Sequence, residues 1–154
     1  MQKGCFELSL KVGGKPLREY LHKNRFYVEG RNRTEYDIVL KNNSDRRIEA
    51  IFSVDGLDVL DGKQASSKKT GYLIPAWGSI TIDGWRLNDT EIAKFQFGEQ
   101  VSSYASSKGI PRNIGVIGVA IFNEKQIRWQ PMTWPWDNSW PWSRSSTNLN
   151  SLLN

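Results

Sequence analysis

The chain is poor in the residues that build most catalytic and metal centres. It has one cysteine, Cys5, in 154 residues, so an internal disulfide and a cysteine metal cluster are excluded. It has one histidine, His22, which excludes a His-His metal site. No run of 18 apolar residues is present, so no segment reads as a membrane-spanning helix. Neither G-x-x-x-x-G-K-[ST] nor G-x-G-x-x-G occurs, so no glycine-rich phosphate loop is expected. The start, MQKGCFELSLKV, lacks the apolar stretch of a signal peptide, and the expectation is a protein made and used without secretion. The sequons at Asn32, Asn42 and Asn88 then read as turn sequences rather than glycan sites.

Acidic residues are also in the minority. The net charge is +5, and residues 1–47 hold eleven Lys/Arg against six Asp/Glu. Acids are interspersed with the bases, and no run of five like charges forms. A solvated surface is expected over a nucleic-acid patch, because binding needs basic residues on one face, although a basic domain could still contact packaged nucleic acid or an acidic partner. Apolar residues make up 38% of the chain and the mean hydropathy is −0.54. This fits one water-exposed domain, able to bury about 68–70% of its unfolded surface.

What is present is a β pattern. Phe6, Leu8, Leu10 and Val12 alternate with polar residues, as in a strand with one buried face. Gly13-Gly14-Lys15-Pro16 reads as a turn. Phe26–Val28 is a short strand. Tyr36, Ile38 and Leu40 alternate again, the segment 41–46 turns, and 48–54 is a strand, so 36–54 is expected to be a hairpin. Gly71–Pro75 and Ser79–Asp83 flank the turn Pro75-Ala76-Trp77-Gly78. Asn88 with Glu91 predicts a short capped helix through Ile92, Ala93 and Phe95. Phe95–Phe97 is extended. A second helical turn is expected over 102–108, with Gly109 as its cap. Val116–Phe122 is the most apolar strand, and Gly118 within it implies close packing or a bulge. Seven or eight strands with minor helix predict an all-β antiparallel sandwich, jelly-roll or immunoglobulin-like, over residues 1–128.

Asp55, Asp58 and Asp61 are spaced by three, with Gly56 and Gly62 between and after them. A calcium loop needs converging oxygens and usually a later bidentate Glu. Leu57, Val59 and Leu60 interleave instead, so turn and cap roles are expected. The glycines at 56, 71, 84, 98, 115 and 118 are expected to serve turns and tight packing. Trp77 and Trp85 are expected to fill the interior, and Arg86 to bridge a carboxylate such as Asp55 or Asp58.

The remaining tryptophans are concentrated. Five of seven lie in RWQPMTWPWDNSWPW, and Trp-Pro-Trp occurs at 134–136 and 140–142. Its three prolines prevent a regular helix or central strand. Residues 129–154 are therefore expected to form an extended C-terminal arm. Trp129, Trp134, Trp136, Trp140, Trp142 and Arg144 are its expected partner-binding residues, since Trp and Arg anchor interfaces. No catalytic, cofactor-binding or metal residues are assigned. His22 stands in a basic polar stretch as an exposed loop residue, and Cys5 has no base beside it in the sequence.

The segments VEGR (28–31), VDGLDV-DGK (54–63), GY-x-x-P (71–75), I-x-GWR (82–86), F-FG (95–98), SYA (103–105) and G-x-P-x-NIGVIG (109–118) occur in that order. In this the chain resembles an uncharacterised family of small β-rich proteins of bacterial and bacteriophage genomes, over about 25–122. The resemblance implies a virion accessory protein: capsid decoration, cement, or a head–tail component made in the host cytoplasm. Its partners would be other virion proteins such as the major capsid protein, or copies of itself, with no membrane and no cofactor. The alternative is a carbohydrate-binding module, with a glycan stacked on exposed tryptophans.

Overall fold

The computed structural model describes residues 1–86, 91–98 and 113–125. Thirteen strands lie among the described residues. In chain order they are β1 (Gln2–Lys3), β2 (Phe6–Val12), β3 (Lys15–Pro16), β4 (Glu19–His22) and β5 (Arg25–Val28). Then come β6 (Asp37–Asn42), β7 (Ile48–Val54), β8 (Leu57–Asp58) and β9 (Tyr72–Ile74). The last are β10 (Ser79–Ile82), β11 (Gly84–Arg86), β12 (Ile92–Lys94) and β13 (Ile117–Asn123). All pairings are antiparallel.

Period-two alternation builds the first sheet. β6 is central, with β2 on one side and β10 on the other, and β1 and β3 both pair with β2. The register sets Leu8 opposite Leu40 and Leu10 opposite Ile38, then Ile80 opposite Leu40 and Ile82 opposite Ile38. These cross-strand rows give one apolar face. Glu7 and Lys41 stand on the other face and pair at 3.4 Å.

β7 is the centre of the second sheet. It pairs with β13 along one edge and with β8 and β9 along the other. Ile48, Ala50, Phe52 and Val54 face inward, opposite Ile74, Ile121, Val119 and Ile117 in adjacent strands. The inner faces of the two sheets share one core, which makes the body an all-β, sandwich-like fold. Phe52, Ile38 and Leu40 are each 1% exposed or less, and each such burial stabilises by roughly 1.5–3 kcal/mol. One end of the core is aromatic. Tyr36 stacks on Phe95 and Phe97, with ring centroids 5.5 and 4.4 Å away, and Trp85 meets Phe95 edge-on at 5.5 Å.

Several expectations change. The segment 36–54 is not a hairpin: β6 and β7 belong to different sheets, so the turn between them crosses the core. Alternation marks a strand's buried face but not its partner. The expected helix at 88–95 fails where it is described, because Ile92–Lys94 is β12 and pairs with β11. The period-two pattern Ala93-Phe95-Phe97 prevails over a local cap signal, since both rings pack with Tyr36. β13 is an edge strand and only half-buried, although it is the most apolar. Trp85 packs on the core as expected, but Trp77 is 71% exposed. It occupies a turn with φ of +58°, outside both sheets. The compact unit spans Met1–Glu124, and the expected second helix at 102–108 lies outside the described residues.

Candidate functional site

The Asp55–Lys63 loop is the densest polar feature described. Asp55 and Gly56 have φ of +55° and +81° and link β7 to β8, with Val54 opposite Leu57. An Asp-Gly pair with both φ positive is the two-residue turn that matches strand twist. Asp55 Oδ1 accepts from the Gly115 N–H at 2.7 Å. The Asp55 N–H donates to the Val116 carbonyl at 2.9 Å. The turn therefore also ties down the entry to β13.

Asp58 is buried, and its Oδ1 caps the Leu60 N–H at 2.8 Å. Asp61 Oδ1 accepts from the Lys63 N–H at 2.9 Å, and both Asp61 oxygens receive Lys69 Nζ, at 2.8 and 2.9 Å. Partial burial pushes the Asp61 carboxyl up, but the Lys69 ammonium and the Lys63 N–H outweigh it, so its pKa lies below the usual value. All three aspartates thus serve turns, as the spacing suggests. Among the described residues no group of three or more His, Cys, Asp or Glu is placed to hold a metal ion.

Asp58 Oδ2 is buried without a hydrogen-bond partner. Tyr72 is near enough to sense its charge. Burial pushes the Tyr72 phenol up, Arg86 opposes this, and Asp58 and Asp83 add to the rise. Arg86 does not bridge Asp55 or Asp58, and it is exposed. Its backbone N–H instead donates to the Val59 carbonyl at 3.2 Å. The strand β11 fixes Arg86 through its backbone and leaves the guanidinium outside.

His22 and Cys5 are both exposed, but His22 sits in β4 rather than in a loop, with its ring 6.4 Å from Tyr27. The outer face of the second sheet carries Leu73, 64% exposed, and Phe122, 40% exposed, together with Ile51 and Ala120. Two hollows on this side, of about 140 and 230 Å³, are smaller than the ~300–1,000 Å³ of ligand clefts. Glu49 stands between Leu73 and Phe122 here, so the face mixes apolar and charged groups over shallow relief and suits a protein surface better than a small molecule.

The expected partner-binding residues Trp129, Trp134, Trp136, Trp140, Trp142 and Arg144 lie outside the described residues. Two features escaped the sequence reading: the exposed turn tryptophan, Trp77, and the strand Glu19–His22. Lys23-Asn24 between apolar-aromatic segments was the available signal for the latter. No family model matches the chain, and neither a curated protein nor a solved structure matches it.

Proposed function

We propose that this chain is a non-enzymatic structural protein of a bacteriophage particle, a capsid-decoration, cement or head–tail accessory protein. It docks on neighbouring subunits partly through the Trp-Pro-Trp segment. The observation that carries this reading is the placing of five of seven tryptophans in one proline-interrupted run after a small β body. Proline restricts the free chain, so ordering such a segment on a partner costs less entropy. Exposed Leu73 and Phe122 on the outer sheet face add apolar area for a protein neighbour. The motif resemblance supplies the phage setting.

The test is occupancy on particles. A full-length variant with Trp134, Trp136, Trp140 and Trp142 changed to Ala is compared with the unchanged chain by mass spectrometry of purified particles. Loss of the variant from particles is expected, and equal occupancy sinks the reading. Carbohydrate binding is the second reading. It is favoured by Trp77, whose indole is exposed and whose backbone N–H donates to the Ser44 carbonyl at 3.1 Å, which sets the residue beside the polar turn Asn43–Arg46. A tryptophan fluorescence shift on a glycan panel, lost in Trp77→Ala, would favour it over docking.

A further inference from the structure

The hairpin β4–β5 belongs to neither sheet. Its strands pair only with each other among the described residues, with Tyr20 opposite Tyr27, Leu21 opposite Phe26 and His22 opposite Arg25. Lys23 and Asn24, with φ of +46° and +61°, form the tight turn at its tip. Leu17 and Val28 at its base pack on the core, and the amino terminus pairs with Glu19. Beyond that base both faces are exposed: Leu21 by 64%, Tyr27 by 49%, Tyr20 by 43% and Phe26 by 39%. A two-stranded hairpin is marginal in water, so one kept with such rings outside invites a partner.

Charge narrows the partner. Between Lys15 and Arg33 there are six Lys/Arg and two Glu, which is four of the chain's net five positive charges. Elsewhere Lys41, Arg46, Arg47, Lys69 and Lys94 are each paired with a carboxylate, whereas Lys3, Lys11, Lys63, Lys68, Arg86 and Lys125 enter no ion pair among the described residues. Arg18, Lys23, Arg25, Arg31 and Arg33 enter no ion pair among the described residues. The Arg18 guanidinium lies over the Tyr20 ring, 5.2 Å from its centroid. Cross-strand neighbours share a face, so Tyr20, Tyr27, His22 and Arg25 form one aromatic and basic surface.

That surface offers cations outside any ion pair beside exposed tyrosine rings, with Arg18 already on one face of Tyr20. An acidic peptide would satisfy the cations but leave the rings without flat partners. A duplex keeps its base faces stacked on each other. Single strands present phosphates and open bases together. We propose that the β4–β5 hairpin binds single-stranded nucleic acid, with phosphates at Arg18, Lys23 and Arg25 and bases stacked on Tyr20 and Tyr27. The dispersion of basic residues along the sequence favours a solvated surface over such a partner. In the fold Lys23 and Arg25 lie on this ribbon and Arg18 flanks it. The inference is independent of the docking role of the tryptophan segment.

Fluorescence anisotropy of the full chain with a labelled oligo-dT strand of about 30 nucleotides tests it. The duplex of that strand with its oligo-dA complement and a poly-Glu peptide are run in parallel. Affinity for the single strand should exceed both and should fall steeply between about 50 and 200 mM salt. Tyr20→Ala and Tyr27→Ala should each weaken binding on the order of tenfold, while the Phe variants, which keep the ring, retain it. Arg25→Glu should weaken binding and flatten the salt slope, and Lys68→Glu, away from the hairpin, should do neither. Three results overturn the proposal: no single-strand binding at low salt, equal or tighter binding of duplex or poly-Glu, or binding indifferent to both Tyr→Ala changes in protein whose circular dichroism is unaltered.

Discussion

The Asn42 side-chain amide donates to the Pro75 carbonyl at 2.8 Å, across the two sheets. Asn42 ends β6 and Pro75 follows β9, so one bond joins the two crossings between the sheets. The same amide donates to the Arg46 carbonyl at 2.7 Å. Its Oδ1 accepts from the Ser44 N–H at 3.1 Å and the Ser44 hydroxyl at 2.6 Å. Asn42 is fully buried and uses its whole hydrogen-bonding capacity.

Asn42→Ala should therefore be among the most destabilising single changes in the body. It removes the partner of the Pro75 and Arg46 carbonyls and the Ser44 N–H at a part-buried site, at a cost of about 1–3 kcal/mol. Asn42→Asp should also be damaging, because a carboxylate cannot donate to two carbonyls. Urea unfolding of both variants checks this, and a loss below about 1 kcal/mol would show that the clamp is not needed.

Gly71 packs against the backbone of β7. A Cβ there would lie 2.5 Å from the Ala50 carbonyl oxygen, and the Gly71 N–H donates to Glu49 Oε1 at 2.7 Å. Backbone cannot step aside as a side chain can, so Gly71→Ala should cost about 1–3 kcal/mol. Gly14 is a control of a different kind: its φ is +78° but nothing stands near a Cβ. Gly14→Ala should cost only about 1 kcal/mol, from conformation alone. Thermal melts of the pair separate the two causes, and equal losses would mean that the Gly71 contact relaxes freely.

Much of the body could be read in advance because single-strand alternation is a local property. The β2 pattern Phe6-Leu8-Leu10-Val12 and the inward row Ile38-Leu40 carry their own burial instructions. Pairing does not. Nothing in the turn 41–46 announces that β6 and β7 part company; that depends on Asn42 reaching Pro75, 33 residues away. The helix signal at Asn88 and Glu91 was likewise local, and Phe95 and Phe97 answered to Tyr36. The spacing of Arg18, Lys23 and Arg25 in the chain hides that they lie on or beside the one hairpin that carries Tyr20 and Tyr27. The Asp-Gly turn was legible, and its aspartates do cap backbone N–H groups.

Two exposed ion pairs set a modest acid dependence. The Lys94 ammonium holds the Asp83 carboxyl below its ordinary value, and Asp61 is lowered on balance by Lys69 and the Lys63 N–H. A lowered folded pKa stabilises above the unfolded value near 3.8, and that gain is lost as pH falls through the folded value. Both carboxyls are more than a third exposed, so solvent screening keeps each contribution below about 1 kcal/mol. Asp61→Asn and Asp83→Asn should each lower stability slightly at neutral pH and have little effect under strong acid. Urea midpoints at the two pH values test the sign, and a larger loss in acid than at neutrality contradicts it.

Tyr36 should dominate the alkaline limb. Burial pushes its phenol well above 10.0, and the Asp55 charge adds to the rise. Here the sign reverses. The neutral form is kept in the folded chain, so stability is intact below pH 10 and declines as pH climbs towards the folded value. In that window the loss approaches about 1.4 kcal/mol per pH unit for this one group. Tyr36→Phe keeps the ring stacked between Phe95 and Phe97 and removes the proton. The variant should unfold at higher pH than the parent, with the tyrosinate absorbance of the parent rising together with its loss of circular dichroism. If the parent shows all its tyrosines ionised while still folded, Tyr36 is reached by hydroxide without unfolding, and the core at that end is more open than its packing implies.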